Sequence, residues 1–452
     1  MAEEALIESP LATLSEEQVE ELARLFDKIH DDVFADLGDR DRRYIVSMIA
    51  MHRRLVVMGR AVLMGSRYWP AWLAGTSFLS MAKILENMEI GHNVMHGQWD
   101  WMNDPQISST TWDWDTASTA EAWKHSHNYI HHTFTNIRGK DRDLGYEIMR
   151  IDPHQKWYPF YLLQPIYNLL LAAGFEWGVA MHDLDFEAIR KGEKSKAQLK
   201  REIRGILRKG RQQIVKDYVA WPLISAGAAA GVRAGIEAAR SPGVRERAGR
   251  RLRRRPSTTD VVRDSAIKTF RTTLRANVTA NVIRNVWSYA IIFCGHFPDQ
   301  TYTFSQEETD SESRGAYYVR QLVGAANIEG SPLFHVASGN LGYQVEHHLF
   351  PDMPSTRYAE IAPRVKAICE EYELPYNSGP FGKQLGGVQR TILRLAFPGG
   401  KPRPKPGPFR GDATTAAHAT NGDARFSRDT GPGGSGPEQP TDGVRVSMPK
   451  ED

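Results

Sequence analysis

GHNVMH at 91–96, HNYIHH at 127–132 and QVEHH at 344–348 are the three stretches that decide how this chain is read. Seven of its 15 histidines fall inside them. On an α-helix, residues three or four apart share a face. His92 and His96 therefore pair in the first stretch, and His127 and His131 in the second, with His132 alongside. In the third, Gln344, His347 and His348 line one side. Imidazole is a good ligand for iron, zinc and copper. Seven such ligands exceed what a single tetrahedral zinc can use, so the pattern predicts two metal ions in a nitrogen-rich site.

Composition narrows the class. A chain of 452 residues with a net charge of +3 carries no excess charge for nucleic acid, and none is expected as a partner. Cys294 and Cys369 are its two cysteines, far apart and outside any CxxC spacing. They suggest a reducing compartment and no disulfide framework. The N-terminal MAEEALIESP is acidic and polar and reads as lacking a cleavable signal. Residues 14–29 predict an amphipathic helix, with Ser15 and Gln18 as a capping box and Leu14 stapled onto Val19. Its apolar stripe is Val19, Leu22, Leu25, Phe26 and Ile29. Such a stripe packs on the chain's own body or docks a partner.

Mean hydropathy is only −0.46, so membrane spans must be found one by one against a need for ~20 apolar residues. Residues 61–82 qualify by length but contain Arg67 and Pro70. Residues 157–181 form the best single run, interrupted by Glu176. Residues 217–236 and 274–296 are weaker, the latter holding Arg275 and Arg284. The three boxes can meet only if they lie on one side of a bilayer, so the chain crosses an even number of times between His132 and Gln344. The expectation is a hairpin of 217–236 with 274–296, and 157–181 lying in the interface. This keeps the basic loop 183–216 cytoplasmic, where short Lys/Arg-rich loops belong, and leaves 240–273 outside. The polybasic SPGVRERAGRRLRRRPSTTD at 241–260 reads as a solvated insert that could meet anionic lipid.

Around the boxes stand ENMEIGHNVMHGQWDWMND (86–104), AWKHSHNYIHHTFTN (122–136) and SGNLGYQVEHHLFPDMP (338–354). These resemble the integral-membrane fatty acid desaturases, with patterns HxxxH, HxxxHH and QxxHH, and their bacterial acyl-CoA branch in particular. The resemblance covers roughly residues 15–400. It implies an all-α, multi-pass helical bundle in the cell membrane with a cytoplasmic histidine-box cap. Residues 1–54 would be an N-terminal cytoplasmic helical region and 55–397 the desaturase domain. The Gly- and Pro-rich residues 398–452 would be a disordered tail.

The same resemblance implies two iron ions held by His92, His96, His127, His131, His132, His347 and His348. His296, in IIFCGHFPD, matches an isolated extra histidine ligand of these enzymes. Gln344 stands where many relatives have histidine; it can ligate weakly through its carbonyl oxygen or hold a water. His125 and His335 lie off the pattern. Asn93, Asn128, Glu89, Glu346, Asp141 and Asp143 are candidates to fix the far nitrogens of the ligand rings. Trp99, Trp101, Trp112 and Trp114 would wall an acyl tunnel or simply fill core. The substrate would be an acyl-CoA or acyl-lipid, oxidised by O2 and two electrons. No HPGG haem motif occurs, and no GxGxxG follows a convincing strand. Electrons from NAD(P)H would then come through a separate flavin and iron–sulfur reductase, which the basic loops at 183–216 could dock. Alternatives with the same boxes are a lipid hydroxylase, a carotenoid-modifying oxygenase, or a membrane metal-binding protein without catalysis.

Overall fold

A computed structural model describes residues 9–239, 257–298, 300–399 and 405–410. Most of the polybasic insert and nearly all of the expected tail therefore lie outside the described residues. Helix dominates. The departure from an all-α chain is a parallel pair of three-residue strands, β1 (Asn327–Glu329) and β2 (Ser378–Pro380), with Ile328 opposite Gly379.

The capping box at Ser15 forms as expected: its hydroxyl accepts from Gln18 N–H while the Gln18 side chain accepts from Ser15 N–H. It starts α1 (Glu16–Ala35). The predicted stripe is buried at Leu22, Phe26 and Ile29, in a core shared with Val319, Leu322, Val345, Phe350 and Tyr358. Helix α1 thus covers the chain's own body rather than a partner. Ion pairs lock it there, Asp27 with Arg314 and Asp32 with Arg364.

Next come α2 (Asp39–Leu63) and α3 (Trp69–Ile84), an antiparallel hairpin. Helix α2 runs through residue 54 without a break. Segment 157–181 is not one continuous helix. It forms a 3₁₀ turn, then α4 (Gln164–Ala173), a break at Gly174, and α5 (Phe175–His182). Helix α6 (Lys196–Gln213) passes through a π-helical stretch, Ile214–Ala220, into α7 (Trp221–Ala239). The 39-residue α8 (Thr258–His296) then packs along α7 and α3. Shorter helices follow, among them α9 (Arg314–Val323), α10 (Gln344–Leu349), α11 (Tyr358–Glu371) and α12 (Phe381–Leu395).

Among the described residues, one continuous helix, Lys196–Ala239, is long and apolar enough by composition to cross a membrane. Of the other expected segments, 61–82 straddles the turn between α2 and α3 and 157–181 breaks at Gly174, while 274–296 lies in α8, whose polar groups face other helices inside the bundle. Asp217 is fully buried, accepting from Arg60 of α2 at 2.6 Å and from Lys83 of α3 at 2.8 Å. Asn277 of α8 donates to the Asp217 carbonyl. Arg284 of α8 pairs with Glu176 of α5 at 2.5 Å. A buried charge is tolerated only when paired in this way. The result fixes the ends of α3, α5 and α8 relative to each other, and those ends carry the histidines.

Candidate metal centre

The first two boxes are not plain α-helix, which corrects the expected spacing. Helix α3 continues as a π-helix over Leu85–His92, followed by one α-turn, Asn93–Met95, that ends at His96. The second box starts with Thr119 capping Ala120–Trp123 and widens into a π-helix over Lys124–His131. A π-helix bonds i to i+5 and is rare outside functional sites. Its wider turn brings residues four apart nearly over each other. The His127 and His131 rings lie 5.1 Å apart and 19° from parallel. The third box is α10, entirely buried, and His296 is the last residue of α8.

These elements bring eight imidazoles into one cluster. His92, His96, His127 and His347 place ligand nitrogens within 4.8 Å of one another, and so do His131, His296 and His348. His132 sits between the two nests, its ring 4.7 Å from His96, 4.8 Å from His347 and 4.6 Å from His348. Gln344 Nε2 is 3.0 Å from His296 Nε2, while its Oε1 is buried without a partner. Glycine at 295 makes room for it, since a Cβ there would sit 2.7 Å from Gln344 Cγ. His125 is exposed and stacked on Tyr129. His335 stacks on Tyr343 and joins neither nest.

The hydrogen bonds around the rings test whether metal ions fit. Asn93 donates through Nδ2 to the Glu89 and Gly339 carbonyls, so its Oδ1 accepts from His92 Nδ1–H at 2.9 Å. Gln321 donates to His132 O, so its Oε1 accepts from His348 Nδ1–H at 3.0 Å. Tyr358 gives its proton to Phe350 O and accepts from His347 Nδ1–H at 3.1 Å. Both oxygens of Asp141 lie 3.1 Å from His131 Nδ1, and Asp143 lies 3.5 Å from His127 Nδ1. Meanwhile Nε2 of His96, His127, His131, His132 and His347 is buried with no partner. Leaving so many polar atoms unpaired is costly in a native interior. Nδ1 held and Nε2 free, the arrangement a ligating histidine needs, is met in full at His127, His131 and His347, while His132 has both ring nitrogens unpaired. The donor set fits two ions.

Electrostatics agree. Burial, and then the neighbouring imidazoles, hold His96, His132, His347 and His348 well below the usual histidine range. They are neutral rings with a lone pair to give. His131 differs: burial lowers it, but Asp141 and Asp143 outweigh burial and leave it raised.

Of the residues expected to orient rings, Asn93, Asp141 and Asp143 do so. Asn128 bonds the Met95 carbonyl instead. Glu89 accepts from Tyr44, Asn340 and Ser355, and Glu346 from Tyr376 and Asn327, tying boxes one and three to their surroundings. Tyr358, Gln321 and His182, which bonds Asp143 at 2.9 Å, were not foreseen. Tyr358 lies just past the third box, so a signal existed. For Gln321 and His182 there was none.

A narrow cavity reaches the cluster at His92 and His127. Its walls include Trp114, Trp123, Tyr146, Phe175, Val179 and Ile292. Of the four tryptophans expected to wall a tunnel, Trp114 does so, while Trp99 is packed in a core with Ile45, Ile90 and Val94. Trp123 was missed although it lies four residues before His127, on which its ring stacks at 4.6 Å.

A helical fold that ends in a double histidine nest beside an apolar cavity defines a candidate dinuclear metalloenzyme acting on a long apolar substrate. A family model described as "Fatty acid desaturase" matches residues 67–238 and 243–380. The chain belongs to the fatty acid desaturase family and is an oxidoreductase of lipid metabolism. It is 42% identical over 387 residues to the "NADPH-dependent stearoyl-CoA 9-desaturase" of Mycobacterium tuberculosis, covering 86% of this chain and 82% of that protein. The Synechocystis "sn-1 linoleoyl-lipid 6-desaturase" is 23% identical across 71% of this chain and 79% of its own length. Human "Fatty acid desaturase 3" is 32% identical over 117 residues, 26% of this chain and 24% of its own. No solved structure matches the chain. These matches set aside the hydroxylase, carotenoid-oxygenase and non-catalytic readings.

Proposed function

We propose that this desaturase acts on a saturated acyl-CoA of stearoyl length near carbon 9, with two iron ions in the histidine cage. The ligands would be His92, His96, His127 and His347 in one nest and His131, His296 and His348 in the other, with His132 between them and Gln344 at the edge. The observation that carries this reading is the convergence of eight rings, five of them with a buried Nε2 that has no partner. When bound, the irons supply the reductive activation of O2 that removing hydrogen from an unactivated methylene requires. The balance is R–CH2–CH2–R′ + O2 + 2 e− + 2 H+ → R–CH=CH–R′ + 2 H2O.

The chain's own side chains do the rest. Trp114, Trp123, Phe175 and Val179 exclude water from the cavity and hold one carbon pair beside His92 and His127. Trp114 also lines a second, open cleft. There Arg53 stands beside Lys209 and Lys216, which pair with Asp113 and Asp115 at the cleft surface. Lysine and arginine at an open cleft suit the phosphates of coenzyme A, and the 42% identical relative named for stearoyl-CoA supports an acyl-CoA over an acyl-lipid. Electrons would arrive from NADPH through a separate reductase.

The reading places α2, α3, α7 and α8 in the cell membrane and the cage on its cytoplasmic side, within a catalytic domain of residues 55–397. Support comes from exposed apolar residues on those helices, such as Val57, Leu73, Leu223, Val232 and Val282, and on α4 at Ile166, Leu169 and Leu170. Exposed apolar surface on this scale needs a cover. The test is expression in a host without desaturases, with double-bond mapping of its lipids. A new unsaturated acyl chain that disappears in His127→Ala supports the reading; hydroxylated product alone overturns it.

A further inference from the structure

We propose that a separate cavity on the His296 side of the cage is a hydrated passage that brings protons to the site and lets water leave. Its role rests on the desaturation reading, whereas its hydration rests on geometry alone. The polar His296, Asp152, Thr301, Thr303, Thr391 and Arg394 line it beside apolar groups such as Phe297 and Leu395, and it shares no lining residue with the acyl cavity. The two cavities therefore touch the cage at different histidines, His296 on one side and His92 with His127 on the other.

His296 is buried, with Nε2 turned toward Gln344 at 3.0 Å and His348 at 3.3 Å. Its Nδ1 has no partner, as is also true of His132 Nδ1, whereas Nδ1 of His92, His127, His131, His347 and His348 is held; of the two unpaired rings, His296 is the one that lines this cavity. An unpaired buried ring nitrogen costs about 1–3 kcal/mol. A water in a polar cavity with two or more partners removes that cost. Partners are present. Thr301 and Thr391 spend their hydroxyl protons on backbone carbonyls and keep free lone pairs. Asp152 is buried and already gathers the His154 N–H. The cavity leads outward past partly exposed Thr303 to exposed Arg394.

The reaction makes such a passage necessary. Each double bond consumes two protons and produces two waters, while the acyl cavity is filled by substrate during that step. Water must leave by another face, and this cavity meets the cage at His296 rather than at His92 and His127.

The experiment places a cysteine in the wall, Thr391→Cys, in the full-length iron-loaded protein. It is treated with a charged, membrane-impermeant methanethiosulfonate and its intact mass is read. Protein without the substitution measures any reaction of buried Cys294 and Cys369. Labelling at position 391, with a fall of about tenfold or more in double-bond formation on labelling and acyl-CoA affinity within about twofold, is the expected result. No labelling, labelling without loss of rate, or an equal loss of acyl-CoA affinity overturns the proposal. If the unlabelled enzyme makes no double bond at all, the desaturation reading fails, and labelling alone still decides whether the cavity is open to water.

Discussion

Asp141→Asn isolates what the outer hydrogen bonds contribute to the metal site. Asp141 accepts from His131 Nδ1–H, and also from the backbone N–H groups of Asn136 at 2.7 Å and Asp143 at 2.9 Å. Asparagine keeps the shape but replaces one acceptor oxygen by a donor and removes the charge. A hydrogen bond to a charged group contributes about 1.5–3 kcal/mol, against about 0.5–1.5 for a neutral one. The substitution therefore loses about 1–2 kcal/mol at His131 and forces one backbone N–H to face an NH2 group. With about 1.4 kcal/mol per tenfold, iron affinity should fall about 5- to 30-fold, overlapping the lower part of the ~10- to 100-fold range found when such partners of metal-bound histidine are removed. Chelator competition against the purified protein measures it directly. Tyr358→Phe, which removes a neutral partner from His347, should cost less, about fivefold. Equal affinity in Asp141→Asn and the parent, or a larger loss in Tyr358→Phe, would refute the assignment of Nε2 as the metal-facing nitrogen.

Other expectations are equally concrete. Arg320→Ala strips the Glu312 ion pair and the donors to the Thr133 and Thr135 carbonyls that close the second box; it should destabilise the protein by about 3–5 kcal/mol, read by denaturant unfolding in detergent. Arg284→Met leaves the buried Glu176 carboxylate without its counter-charge, with the Gln213 amide still donating to it, and should lower thermal stability strongly, while Arg284→Met with Glu176→Leu should recover part of it; equal damage in the single and double variants would contradict the pairing. Val179→Trp fills the acyl cavity and should slow desaturation of long acyl-CoA far more than it changes iron content, a split visible by product analysis and metal assay on one sample.

The boxes were legible because their signal is local. Imidazoles four residues apart share a face in α- and π-helix alike, and His96 and His131 stand where that rule put them. The π-winding was not legible: Leu85–His92 has no proline, glycine pair or other local mark that distinguishes it from α-helix. Gln321 reaches His348 from α9, and such a contact leaves no spacing in the sequence. Hydropathy under-read the bundle for a related reason. Arg284, Glu176 and Asp217 count as charged in any window along the chain, yet each meets its partner across helices and is hidden. The span scale penalises them for solvent they never see.

The account stands on two metal ions sharing the eight-ring cage. Iron per polypeptide, determined on anaerobically reconstituted protein alongside Mössbauer spectra, should approach two, with both irons in nitrogen-rich environments and a marked loss in His96→Ala. Full desaturase activity with about one iron per chain or none, or iron retained at full ratio when His96 and His348 are both replaced, would contradict it.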